Sequence, residues 1–465
     1  MAIALLLPMG AVAQNLTSSV NTYSPYSMYG LGELATPGNV AMRSMGGIGV
    51  AMYSQSMVNM LNPAGYGNVA RQSFLFNFGI DAGHYRNSQT KYNSTSTSEV
   101  KTAYNSVNFH DIAFQFPLAK GLGVGFSLSP YSNVGYNMYG DDLSQDVAGN
   151  LGRVQYKYYG EGDVTQVKFG VGWRPIKRMS VGVAMLYYWG DIMRHYRATP
   201  ENVITGSGIY SSTTGIDTYD VSKFKMQAGI QVHPIMQSRH ILTLGATYDL
   251  GGDLTPSMVK YVYVDNVLSS VVRNVEDDAL PLRLPQQVSA GAYYQSLSIR
   301  AGIDYVYQNW GGQNENYMEN DGVIGIPVAY TDTHTVKAGF EIVPKGSDVR
   351  HYYNRMAYRV GFSFGDYYQT FAGSNIRQMS VTAGIGLPVR LFGNSSVDIG
   401  FEFGMRNPAN EKLFVNNKTI GLVKQRYYKI AIGLTLFGED RWFQRLRVHL
   451  RYVRVHRRSR LYHRA

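Results

Sequence analysis

From Ser73 almost to the end of the chain, apolar residues alternate with small or polar ones at a period of two, in runs that often exceed ten residues. Successive side chains of a strand point to opposite faces, so each run gives a sheet one apolar face and one wet face. Phe74, Phe76, Phe78, Ile80 and Ala82 fall on one side, and Leu75, Asn77, Gly79, Asp81 and Gly83 on the other. Val167, Phe169, Val171 and Trp173 oppose Gln166, Lys168, Gly170 and Gly172, and Val397, Ile399, Phe401 and Phe403 oppose Asp398, Gly400, Glu402 and Gly404. A soluble β-sandwich would alternate equally well, but its strands usually run to only about 5–6 residues. Longer runs with charges on the glycine-rich face suit the wall of a membrane barrel, apolar toward lipid and polar toward the lumen.

About fourteen such segments can be marked, near 72–86, 106–117, 121–140, 153–174, 178–196, 219–234, 238–264, 271–295, 296–311, 327–343, 354–368, 375–389, 395–408 and 419–437. The expectation is an all-β chain folded as a transmembrane antiparallel β-barrel. An even count leaves both ends of the barrel sheet on the periplasmic side. Connections alternate in length. Short ones fall at Leu118 to Lys120, Pro175 to Lys177, Pro234 to Ser238 and Gln295-Ser296, and long polar ones at Asn87 to Asn105 and Ala198 to Thr218. Tyr187-Tyr188-Trp189, Tyr367-Tyr368 and Tyr427-Tyr428 gather near strand ends, as an interfacial aromatic girdle requires. No run approaches the ~20 apolar residues of a spanning helix, and a closed sheet needs none.

Composition bears on compartment and partners. The 465 residues include 50 glycines and 37 tyrosines, with only 16% charged, a mixture that suits strands better than helical bundles. The absence of cysteine excludes disulfides, thiolate metal sites and a cysteine nucleophile. Ala2 to Leu7 is apolar and Ala11-Val12-Ala13 precedes Gln14, the small-residue pattern of a secretory cleavage site. A signal-peptide remnant over 1–13 is therefore expected, with an initiator upstream of Met1 and export to the bacterial outer membrane. Of the net charge of +11, the nine arginines after Gly438, set against Glu439 and Asp440, contribute +7. The remainder is unremarkable, and no nucleic-acid partner is implied.

The stretch 14–71 lacks sustained alternation and precedes a barrel expected over 72–437, which a basic tail over 438–465 follows. Within that stretch stand Gly30-Leu31-Gly32, then Met45-Gly46-Gly47-Ile48-Gly49, then Asn62-Pro63-Ala64. Gly46, Gly47 and Gly49 permit positive-φ turns and close backbone contact with a wall. Pro63 restricts Asn62 to extended conformations and should stop a short helix over Ser56 to Leu61. In motif order and architecture across 14–437, the chain resembles the FadL/TodX family of outer-membrane hydrophobic-compound transporters. The resemblance implies an N-terminal hatch plugging a fourteen-stranded barrel. It also implies diffusion of a hydrophobic ligand, such as a long-chain fatty acid, with no cofactor and no catalysis. A hatch that merely shapes a static plug is the alternative to one that moves around a ligand.

Pro130 lies in the third alternating strand, on the face assigned to lipid, where a missing N–H breaks the ladder unless the strand is bulged or kinked. The family's third-strand kink implies that Pro130, with Gly135 nearby, marks a lateral opening; a position at the rim is the alternative. Gly30-Leu31-Gly32-Glu33-Leu34-Ala35 spells a dinucleotide motif, but no strand precedes it and no βαβ pattern follows. His110-Asp111 reads as a lumen hydrogen bond rather than a catalytic pair. Two functions compete: a monomeric transporter for hydrophobic compounds with lateral release, and a non-transporting scaffold of the same architecture that binds partner proteins.

Overall fold

The computed structural model describes residues 22–70, 73–92, 97–142, 154–200, 204–205, 208–209, 211–254, 257–273, 283–313, 319–320, 327–389, 395–415 and 418–439. The expected signal-peptide remnant, and the basic tail beyond Glu439, lie outside the described residues.

An N-terminal hatch comes first. It holds a 3-10 turn at Pro25–Met28, the two-residue strand β1 (Glu33–Leu34), the short helix α1 (Val40–Arg43) and a 3-10 helix at Pro63–Asn68. Seven long strands follow: β2 (Ser73–Tyr92), β3 (Thr97–Ala119), β4 (Leu122–Asp142), β5 (Val154–Ile176), β6 (Met179–Pro200), β7 (Thr213–Met236) and β8 (His240–Asp249). A hairpin of β9 (Ser257–Val264) and β10 (Val267–Arg273) interrupts them. Seven more complete the wall: β11 (Gln286–Ser296), β12 (Ile299–Asn309), β13 (Thr333–Ile342), β14 (Ala357–Phe371), β15 (Ser374–Val389), β16 (Ser395–Pro408) and β17 (Lys424–Glu439).

Each wall strand pairs antiparallel with the next, β8 pairs with β11, and β17 returns to β2 from Ser73↔Glu439 to Ser88↔Lys424. The result is a closed barrel of fourteen antiparallel strands. Closure leaves no sheet edge at the β2–β17 junction, which is how a sheet tolerates hydrocarbon.

The count agrees with the alternation, but several boundaries do not. The segments 238–264 and 271–295 are not two strands. β8 stops at Asp249, and β9 and β10 form an outer hairpin laid along the far half of β7. Its turn is Asp265-Asn266, both at positive φ, as a two-residue hairpin of matching twist needs. The segment 327–343 breaks into Pro327–Tyr330 and β13. No helix forms over Ser56 to Leu61; the turn of helix comes after Pro63, which begins it instead of ending another. The connection between β13 and β14, Val343 to Met356, is longer than the other turns at its end of the barrel. Asp348 orders it by accepting from Asn354 Nδ2 at 2.7 Å and from the Arg350 and His351 amides at 2.9 and 3.1 Å.

Side-chain burial follows the alternation. Phe74, Phe78, Ile80, Phe169, Trp173, Ile303, Phe401 and Ile432 are exposed on the outer surface, while Asn77, Asp81, Lys168, Asp304, Asp398 and Glu402 are buried inside. The lumen is filled in two layers. Toward the long-loop end lies an aromatic core that includes Tyr26, Tyr29, Tyr188, Trp310, Tyr330, Tyr368 and Phe371. Below it the hatch meets the wall through charges and backbone. Glycines allow this contact: a Cβ on Gly229 would collide with Asn62 Oδ1, and one on Gly361 with the Gly46 amide.

Candidate functional site: the plugged lumen and the gap in its wall

The hatch is tied to the barrel by buried charge. Glu33 accepts from Arg406 Nη2 at 2.8 Å, from the Thr22 hydroxyl, and faces Lys429 at 3.8 Å. Burial pushes the Glu33 carboxyl up, but Arg406 and Lys429 outweigh it and hold the group at about 2. Arg43, in α1, reaches Glu402 Oε2 at 3.0 Å. Asp304 accepts from the Gly49 and Val50 amides at 2.6 and 2.9 Å. Nearer the short-turn end, Arg359 bridges Glu341 at 2.6 Å and Asp398 at 2.5 Å within the wall itself. The partners that join hatch to wall sit hundreds of residues apart in sequence, so pairing, not alternation, selects them.

The glycine and Asn-Pro-Ala motifs occupy this contact surface. Gly30 and Gly32 take positive φ, +58° and +86°, and so turn the chain so that the Gly30 and Gly32 carbonyls accept from Arg194 Nη2 at 2.8 Å and the Tyr368 hydroxyl at 2.5 Å. Gly46 and Gly47 are also at positive φ; Gly49 is not, and serves by close packing on Leu61 and Met42. Asn62 is extended, as Pro63 demands, and caps the following turn through Ala64 N at 2.9 Å. Its amide also donates to the Val50 carbonyl at 2.8 Å, joining two stretches of hatch.

Pro130 and Gly135 are brought together with the hatch, in a part of the wall that departs from a regular ladder. The β4–β5 register shifts between Pro130 and Ser132, leaving Tyr131 as the extra residue of a bulge. The bulge inverts the phase of β4. Below it Phe126 and Leu128 take the outward positions; above it Ser132, Val134 and Tyr136 are buried. Pro130, the last residue before the bulge, keeps the phase of Phe126 and Leu128; it is half-buried and also borders internal cavities. β1 pairs with β4 here, Glu33↔Asn133 and Leu34↔Ser132. The Gly135 carbonyl accepts from Ser24 N and Ser27 Oγ, both at 2.9 Å, and its amide donates to Ser27 Oγ at 3.0 Å.

Sequence reasoning missed two features of this region. A second bulge makes His110 an extra residue of β3, so that His110 and Asp111 both turn inward, joined Nδ1 to Oδ1 at 2.5 Å. This is the lumen hydrogen bond expected of the pair. A chamber of about 230 Å³ also lies beside the hatch, bordered by Pro130, Arg43, Lys168, Lys225, Lys337 and Glu402. The lysines were visible only as alternate positions, and nothing local shows that they converge.

With the geometry in view, comparison with known proteins decides the family. The model of the family described as BamG matches residues 1–449. This chain belongs to the BamG family. No curated protein matches it. Among solved structures, this BamG-family chain is similar to a Pseudomonas aeruginosa FadL homologue, with a TM-score of 0.59, 10% identity, and 89% of this chain and 100% of that one covered. It is also similar to the Pseudomonas putida toluene transporter TodX, at 0.53, 13%, 89% and 100%. For the Ralstonia pickettii toluene transporter TbuX the values are 0.50, 15%, 86% and 98%. At these identities the likeness is one of fold. The resemblance to FadL/TodX proteins thus holds for the architecture.

Proposed function

We propose that this barrel works as a closed outer-membrane scaffold that holds partner proteins, rather than as a conduit for hydrophobic compounds. The character of the lumen carries this reading. The chamber beside the hatch measures about 230 Å³ and is bordered by Arg43, Lys168, Lys225, Lys337, Asp304 and Glu402. Small-molecule sites usually span about 300–1,000 Å³ with predominantly apolar linings. The acyl chain of a fatty acid placed here would strip water from the charged part of the wall and return no hydrogen bonds, although its carboxylate could pair with the lysines. Above the chamber the aromatic core fills the outer half of the lumen, and the hatch below is held by buried ion pairs.

One observation favours the second reading, transport of a fatty acid or other hydrophobic compound with lateral release: the chamber abuts Pro130, at the irregular part of the wall. Gentle extraction followed by native mass spectrometry separates the two. Stoichiometric partner proteins with no bound amphiphile are expected for the scaffold. A monomeric barrel carrying fatty acid or aromatic hydrocarbon would establish transport instead.

A further inference from the structure

The wall is not zipped along its whole height. β3 pairs with β4 from Ala119↔Leu122 to Ile112↔Leu128, and there the ladder ends although both strands continue toward the long-loop end. On their other sides nothing is missing: β2 accompanies β3 to Tyr92↔Thr97, and β5 accompanies β4 to Asp142↔Val154. The hatch recovers part of the β4 edge through β1 and through the Ala35 N to Tyr131 O bond at 2.8 Å. Toward β3 the contacts are of a different kind. Tyr23 stacks on Tyr104 at 4.5 Å, and Asn108 has a bond of its own, but among the described residues no strand lies along β3 beyond Ile112 on this side.

The lower part of this open stretch, from Val107 to Phe109, lies at the depth of the bilayer. Val107 and Phe109 project outward, 77% and 37% exposed, beside Ala82 and Ile80. They sit one step below His84, Asn105 and Tyr428, where polar and aromatic side chains mark the headgroup level. A peptide edge surrounded by hydrocarbon needs donors and acceptors at the spacing of another strand; acyl chains offer neither. The aromatic and charged hairpin end above it, with Glu99 and Lys101 exposed, supplies no substitute. Edges without a neighbouring strand are the acceptors used in strand addition.

We propose that the β3 edge between Ala103 and Phe109 receives an extended strand of another polypeptide. That strand carries apolar residues on alternate positions beside Val107 and Phe109, and small or polar ones toward the lumen. This proposal rests on the scaffold reading and names the chemistry of its partner.

A photo-crosslinking residue placed singly at Ala103, Asn105, Val107 and Phe109 in the full-length protein in cells tests it, with Ile303 and Val336 in the zipped β12–β13 wall as controls. Heat-dependent gel mobility shows that each variant is folded. The expected result is crosslinking to a different protein at the β3 sites and not at the controls, with the captured residues stepping by two along one partner segment as the site steps by two. No crosslink, a crosslink to a second copy or to this chain's own N-terminal residues, or captured residues without the two-residue step would overturn it. The chain has no cysteine, so Val107→Cys gives an independent readout. Loss of thiol labelling in the assembled state supports the proposal, and equal labelling of assembled and dissociated barrel overturns it. If proteins co-purify while the β3 sites stay silent, the scaffold survives and strand addition does not; a ligand-filled barrel without protein partners removes both.

Discussion

Glu33 shows how one residue of the hatch can hold a plug in place. It is 3% exposed and shares a carboxylate among Arg406, Lys429 and Thr22. Removing one partner of a buried pair strands the other charge, at about 3–5 kcal/mol. Glu33→Gln is therefore expected to loosen the hatch, read as more frequent channel openings in planar bilayers; a silent variant would show that the ion pair does not hold the plug. The sign of the pH dependence follows from the lowered carboxyl. Its contribution is full above the ordinary value of 4.5 and is lost as pH falls toward about 2. Hatch protection from protease should accordingly stay level from neutrality to about pH 5 and fall between there and about pH 2. Asn62 acts through neutral bonds. Asn62→Ala removes a cap worth about 1 kcal/mol together with the Val50 bond, and should speed proteolysis of the hatch without unfolding the barrel.

At the scale of elements, the hatch and β4 form one unit. β4 is bulged at Tyr131, loses β3, and takes β1 and the Ser24–Ser27 turn instead. Pro130 suits the site because it has no N–H to leave unpaired where the ladder ends. Pro130→Val should restore a donor and extend β3–β4 pairing, seen as slower amide exchange along β3. If exchange is unchanged, Pro130 is not what holds the strands apart. If the protein transports after all, the same variant should reduce uptake. Deleting residues 22–70 should turn a closed barrel into a conducting one, because the luminal face left behind is polar and glycine-rich; no gain in conductance would mean that the outer aromatic core seals the pore by itself.

At the scale of the molecule, a closed sheet of fourteen strands should keep its fold in detergent until heated, so that boiled and unboiled protein run differently on gels. The strand count was legible in the sequence because alternation is local: each residue reports its own face, and Phe74 or Asn77 needs no knowledge of its neighbours across the sheet. The stretch 14–71 stood apart for the same reason, since it fails to alternate. Bulges were not. His110 and Tyr131 are ordinary residues, and each became the odd one out only when two strands were set side by side. The Asp265-Asn266 turn falls between the segments 238–264 and 271–295, and only pairing shows that it closes a hairpin outside the wall.

The sequence by itself determined that this chain would be an all-β barrel with a plug of glycine turns, because side-chain alternation and turn chemistry act over a few residues. Only the tertiary structure decided what the lumen and wall can do. Charges such as Glu33 and Arg406 are paired across more than three hundred residues. Among the described residues, the edge of β3 is left open where its ladder with β4 stops although both strands continue. Both depend on register, and register belongs to pairs of strands rather than to any residue.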